Sequence, residues 1–146
     1  MIRPADTGRV VTISGLGWWP KAASVEIFHR DHDGRIPPGI LRTLVPAAPD
    51  AWITALERWG TMRFGEVAEA AVRFARDGFP MSELTSRIIA VAADSYRRWP
   101  GNAAIYLPND EAPKVGELFV QADLGRTIQY MIDQEEAAGG DRAAGL

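Results

Sequence analysis

Two imidazoles and two carboxylates stand within one five-residue run, His29-Arg30-Asp31-His32-Asp33. Donors of these types ligate zinc at ~2.0–2.2 Å, so the chemistry on offer is that of a divalent-metal site. The spacing argues against it, because a loop must fold sharply to turn all four side chains inward. The expectation is a solvated turn and no metal. Asp31 to Gly34 opens like a calcium loop, but the acidic residue such a loop needs at its twelfth position is Arg42 here. Glu66 and Glu69 have the types needed for acid–base work, yet they fall on the polar face of a helix, where solvation is expected. Gly15-Leu16-Gly17 lacks the rest of a dinucleotide fingerprint. Thr85-Ser86-Arg87 offers hydroxyls, but inside a stretch that reads as an ordinary helix.

The run Leu16-Gly17-Trp18-Trp19-Pro20-Lys21 is apolar chemistry. Two indoles beside a glycine can wall a pocket, with the glycine opening space next to them; the same indoles can equally be core or partner-facing. The stripe Trp52, Leu56, Trp59 reads as packing.

These residues need elements to position them. Val10-Val11-Thr12-Ile13 is β-branched throughout and predicts a buried strand over 9–14, ended by Gly15 and Gly17. A short helix or turn is expected from Ala22 to Phe28, then a loop through Gly39. Four helices are expected over 50–139. The first opens at Pro49 and Asp50, buries Trp52, Ala55, Leu56 and Trp59, and stops at Gly60. The second turns Phe64, Val67, Ala68, Ala71 and Ala75 inward, with Gly78 as its exit. The third, capped by Ser82, buries Leu84, Ile88, Val91, Ala92 and Trp99 until Pro100-Gly101 ends it. Short strands are expected at Ala104–Leu107 and Leu118–Val120. The fourth helix aligns Leu124, Ile128, Met131 and Ile132 and closes at Gly139-Gly140. The fold class is therefore mostly α with a few short strands, one partial domain over 1–146.

Composition narrows the function classes. Sixteen Lys+Arg against 19 Asp+Glu, a net charge of −3 with no block of either sign, disfavours nucleic acid, since phosphate neutralisation needs a concentrated basic surface. With no cysteine there is no disulfide or thiolate metal site, and the redox compartment stays undetermined. No apolar run approaches the roughly 18 residues of a membrane span, and the first residues lack the apolar centre of a secretory signal.

Trp59-Gly60-Thr61-Met62, Gly65-Glu66-Val67 and Ala75-Arg76-Asp77-Gly78-Phe79 are followed in register by Ala104-Ile105-Tyr106, Gly116-Glu117-Leu118 and Val120-Gln121-Ala122-Asp123-Leu124. From about Thr12 to Gly139 this order resembles the γ-glutamyltranspeptidase family, as an internal piece of the large-subunit region of a member. Trp59 stands where the family's turn has tyrosine. The resemblance implies an N-terminal nucleophile hydrolase, a four-layer αββα sandwich of which this chain is a partial segment, and no cofactor. It implies a precursor that cuts itself, and a threonine at the head of the second subunit whose own α-amino group serves as base. The usual Thr-Thr-His or Thr-Ser-His setting is not present, so no catalytic residue is expected in this chain. Its expected partner is the missing nucleophile subunit, or a second copy of itself. Family members carry an Arg-Glu pair before an Ala-Pro step, the arginine holding a substrate carboxylate. Pro20 takes the proline place, and Leu16 and Gly17 fall where arginine and glutamate would be. The expectation is a parent acting on a small amide or acyl donor other than a standard γ-glutamyl compound, with Gly17, Trp18 and Trp19 as substrate-binding residues. The rival expectation is a stand-alone, non-catalytic helical interaction module derived from that family.

Overall fold

A computed structural model describes residues 1–141. The chain divides into two compact units rather than one, the first Met1–Arg63 and the second from Phe64 onward.

In the first unit, Ile2 and Val11 exchange both backbone hydrogen bonds, each 2.8 Å, in one antiparallel bridge. That bridge is the only ladder contact along 9–14 among the described residues, so the expected buried strand is corrected to an extended segment with Val10 59% exposed. A strand is made by its neighbours, and β-branched side chains alone do not supply them. From Val11 to Pro20 the residues still alternate half-buried and exposed, the period of a strand covered on one face. Helix α1, Val25–His32, reaches further than the expected turn and takes in His29, Asp31 and His32. Asp33, in the left-handed region, ends it. Helix α2, Ala48–Trp59, has Pro49 in its first turn and closes at Gly60, as the residue types predict. Trp52 is 51% exposed, however, and leaves the expected buried stripe.

The second unit is built on an antiparallel pair of helices, α3 (Phe64–Asp77) and α7 (Ala122–Ala137). Helix α3 buries Phe64, Ala68, Val72 and Ala75; helix α7 answers with Gly125, Ile128, Ile132 and Glu135. Glycine lets the backbones close at both ends. A Cβ on Gly65 would stand 3.0 Å from Ile132 Cγ2, and one on Gly125 would stand 3.5 Å from Ala75 Cβ. Val67 and Ala71, expected inside, are exposed because the contact with α7 is centred one position further round.

Between these helices, β1 (Phe79–Pro80) pairs antiparallel with β2 (Leu118–Phe119), Phe79 opposite Phe119. The pairing continues through Met81 N–H to Glu117 O at 2.8 Å and Gly116 N–H to Met81 O at 2.9 Å. Next come α4 (Glu83–Val91), α5 (Ala93–Arg97) and α6 (Pro100–Tyr106), so the described residues hold six α-helices from Ala48 to Ala137 in place of the expected four. Ser82 caps α4 through Thr85 N–H, as its type predicts. The long third helix breaks at Ala92 (φ −92°, ψ 5°). Pro100 then begins a helix instead of ending one: Trp99 before it is held extended, and a proline in the first turn gives up no hydrogen bond. Ala104–Tyr106 is therefore helical, not a strand. Met81, Ile89, Leu107 and Phe119 form the core here, with Tyr96, Tyr106, Ala93 and Ala112 packed on it. Tyr96 stacks on Tyr106 at 4.7 Å, Tyr106 on Phe119 at 6.0 Å, and Phe79 meets Phe119 edge-on at 5.8 Å.

Candidate functional site

The segment that carries the sequence candidates is pinned by glycine. Gly17 has φ +87°, and a Cβ there would fall 2.0 Å from the Val45 carbonyl oxygen, so no other residue fits. Val45 N–H donates to Trp18 O at 2.8 Å, and a Cβ on Gly15 would come within 3.0 Å of Ala51 Cβ in α2. Both contacts hold the segment against the stretch that leads into α2. The alternation of the extended chain then sorts the side chains.

Trp19 turns inward and stacks on Phe28 at 5.0 Å, with His32 tilted against the same ring at 6.3 Å. Leu16 and Trp18 turn outward, 74% and 86% exposed. Gly17, Trp18 and Trp19 thus have three separate roles. Gly17 is a close-approach position, Trp19 is packing, and Trp18 with Leu16 presents an uncharged, uncovered surface. Such a surface offers contact area and no proton, nucleophile or fixed charge.

The imidazole–carboxylate run does not converge. In α1 the Arg30 guanidinium grips its neighbour Asp31 with Nε–Oδ1 2.7 Å and a second bond of 2.8 Å to Oδ2. The hydrogen bond from Arg30 holds the Asp31 carboxyl below the ordinary aspartate value and raises the arginine in return. His32 lies over Phe28, and the His29 ring packs where Gly34 leaves room. Among the described residues no group of three or more His, Cys, Asp or Glu is placed to hold a metal ion. Thr85 and Ser86 are committed to structure: Ser82 Oγ donates to Thr85 Oγ1 at 2.8 Å, and Ser86 Oγ donates to Pro113 O at 2.7 Å.

Two features escape the sequence reading. Glu135 is 1% exposed, and its carboxylate accepts from Phe64 N–H at 2.8 Å and Gly65 N–H at 3.0 Å, capping α3 from the far end of α7. A helix N-terminus with an anion on its free amides is a favourable pair. The signal was available, since Gly125, Ile128, Ile132 and Glu135 share one helical face, and an acid on an apolar face needs a partner. The second feature is a cavity of about 140 Å³ lined by Pro108, Asn109, Glu111, Pro113, Lys114 and Glu117. Asn109 in its lining and the neighbouring Asp110 are both left-handed (φ 69° and 63°). Arg97 holds this turn by bonding the Asp110 carboxylate at 2.8 Å and carbonyl at 2.9 Å.

Comparison with known proteins gives a consistent answer. The family model for gamma-glutamyltranspeptidase matches residues 1–138. The chain is 33% identical over 142 residues to the acylase ACY 1 proenzyme of Pseudomonas sp. (strain SE83), covering 89% of this chain and 25% of the relative. It superposes on Helicobacter pylori gamma-glutamyltranspeptidase with a TM-score of 0.79 at 22% identity, over 97% of this chain and 40% of that one, a likeness of fold. A cephalosporin acylase from Bacillus halodurans matches with a TM-score of 0.65 at 25% identity, over 86% and 26% of the two chains. The chain spans about a quarter of the length of the acylase proenzyme it matches.

Proposed function

The chain belongs to the γ-glutamyltranspeptidase family of hydrolases, and from that premise we propose that it serves as one part of an amide hydrolase or acyltransferase whose threonine nucleophile lies outside these residues. In that enzyme the threonine hydroxyl attacks the amide carbonyl, the amine leaves, and water or a second amine takes the acyl group from the threonine oxygen. This chain's contribution is scaffold and one wall of the acyl pocket, presented by Trp18 with Leu16 on the segment that Gly17 and Trp19 hold in place. The observation that carries the reading is the exposure of Leu16 and Trp18 on a segment locked by Gly17. An uncharged surface stands there, so the parent's donor is an amide held by contact rather than by a carboxylate clamp, and not a standard γ-glutamyl compound.

The rival, a stand-alone non-catalytic module, has one observation in its favour: the second unit closes a core of its own around Met81, Ile89, Leu107 and Phe119. The first unit opposes it, with Phe28 its only buried residue. Residues 1–146 expressed alone, followed by size-exclusion chromatography and a thermal melt, separate the two. The part-of-an-enzyme reading expects self-association, or a transition in which the first unit takes no share. A discrete species in which both units unfold together would overturn it.

A further inference from the structure

The cavity of about 140 Å³ in the second unit takes no part in the proposed hydrolysis. Its walls are fixed from several directions. Arg97 holds the Asp110 carboxylate and carbonyl beside it, and Ser86 Oγ donates to the Pro113 carbonyl at 2.7 Å. Lys114 N–H donates to Glu117 Oε2 at 2.8 Å while Glu117 N–H returns to Lys114 O at 3.0 Å, so that wall is closed on itself. A hollow held in this way is already formed before a guest arrives, which spares the guest the ordering of its site.

Polar groups of both signs line the space. Glu111 and Glu117 bring carboxylates, Lys114 an ammonium and Asn109 an amide. Around so small a cavity these charges would be expected to pair. Among the described residues, however, none of Glu111, Lys114 and Glu117 enters an ion pair. The fixed turn keeps the two signs apart, and a molecule that carries both can meet both. A bare metal ion does not fit, because no group of three or more His, Cys, Asp or Glu is placed to hold one among the described residues, and the Lys114 ammonium opposes it. We propose that this cavity binds a small zwitterion, an α-amino acid, with its ammonium between Glu111 and Glu117 and its carboxylate on Lys114. The three N–H donors of the guest suit two carboxylates and the Asn109 carbonyl, and its carboxylate takes a charge-assisted bond from the lysine. Size limits the side chain. A cavity of ~150 Å³ holds benzene, so a guest of about six heavy atoms is accommodated, which is the size of alanine. The charged lining residues are exposed, where each charge pair contributes little, and the expected dissociation constant is on the order of 1 mM. The inference does not depend on the hydrolase reading and survives its failure.

The experiment titrates residues 1–146 with L-alanine and follows saturation transfer to the alanine methyl group by NMR, with methylamine and acetate as probes of one charge each. Saturable binding of alanine near ~1 mM, weakened about tenfold in Lys114→Met and in Glu111→Gln and recovered in Lys114→Arg, is the expected result, with each single-charge probe about tenfold weaker than alanine. Glu69→Gln removes an exposed carboxylate outside the lining and should bind as wild type does. Absence of saturable binding overturns the site, as does equal binding by wild type, Lys114→Met and Glu111→Gln. An equal loss in Glu69→Gln makes the effect one of overall charge and also overturns it. Acetate or methylamine binding as tightly as alanine overturns the zwitterion, because one sign then suffices. A loss that Lys114→Arg fails to recover assigns it to the shape of the turn rather than to the cation, with the same consequence.

Discussion

The two units spend similar apolar material differently. In Met1–Arg63 a single residue, Phe28, is buried, while Leu16, Trp18, Ile40 and Val45 stand more than half exposed. From Phe64 onward the helices bury two continuous faces, and the aromatic chain Tyr96, Tyr106, Phe119, Phe79 ties the paired strands β1 and β2 to the short helices. Hydrophobic content is therefore a poor guide to self-sufficiency. What separates the units is whether each apolar face meets another face. The second unit has its partners in the same stretch of sequence, and the first leaves most of the apolar residues of its extended segment and helices exposed or only half-buried.

The largest effect tests that contrast directly. Phe28→Ala removes the first unit's one buried side chain and the ring on which Trp19 stacks. Such truncation in a closed core costs ~3–5 kcal/mol. With so little else buried, the expectation is loss of the first unit's order, while the second keeps its melting transition. Four of the five tryptophans lie before Phe64, so emission reports the first unit and far-ultraviolet circular dichroism weights the second. Coincident shifts of both signals would show the units to be one cooperative body and break the contrast.

Glu135→Ala probes the other side of the comparison. It leaves the Phe64 and Gly65 amides without their acceptor in a buried place, at a cost on the order of 3 kcal/mol. Glu135→Gln keeps an acceptor oxygen and is expected to lose about half of that. A urea titration followed by circular dichroism measures both. Indifference to either change would mean that the helix pair does not depend on this cap. Gly17→Ala comes next: a left-handed backbone and a carbonyl 2.0 Å from the new Cβ predict a loss of ~1–3 kcal/mol confined to the first unit. Faster amide exchange at Val45 is the expected signature.

Much of this was legible because local rules suffice for local features. Ser82 before α4, Pro49 inside α2 and Gly139 after α7 sit where their backbone preferences place them, while Gly60 ends α2 in an extended conformation and is needed because a Cβ there would fall 2.6 Å from the Leu56 carbonyl oxygen. The family resemblance was legible too, since it depends on order and spacing alone. What escaped depends on what a face meets. The β-branched run at 10–13 has strand propensity but no ladder, so it becomes an extended segment. The α4 periodicity is legible in the sequence, but which side packs is not: Ile89 is the buried side, and Leu84, Ile88 and Val91, expected inside, turn away. Glu135 is hard to read from its own helix because a charge on a helix is usually solvated, and α3's free amides, seventy residues earlier in the chain, explain its burial. At the candidate site, the identity of the residues at 16–19 was readable, but the division of labour among Gly17, Trp18 and Trp19 required the Val45 contact.

The smallest expected effect concerns the surface aspartates, and its smallness is informative. Asp31 and Asp77 are each held below the ordinary aspartate value first by a hydrogen bond from the adjacent arginine, Arg30 and Arg76. A depressed folded value means stability present above the unfolded aspartate value of about 3.9 and lost as pH falls through the lower folded values. Stability is therefore expected to be insensitive to these two groups from pH 7 to 5, and to decline only below about pH 4. Both pairs are between adjacent residues and exposed to solvent, where such bonds contribute little and are screened by salt. Arg30→Gln and Arg76→Gln should each leave the urea midpoint at pH 7 nearly unchanged while raising the partner's titration midpoint in a carboxyl-detected NMR experiment. One pair lies in each unit, so a large change at Arg30 alone would reveal that the sparsely packed first unit leans on its surface charges where the second does not.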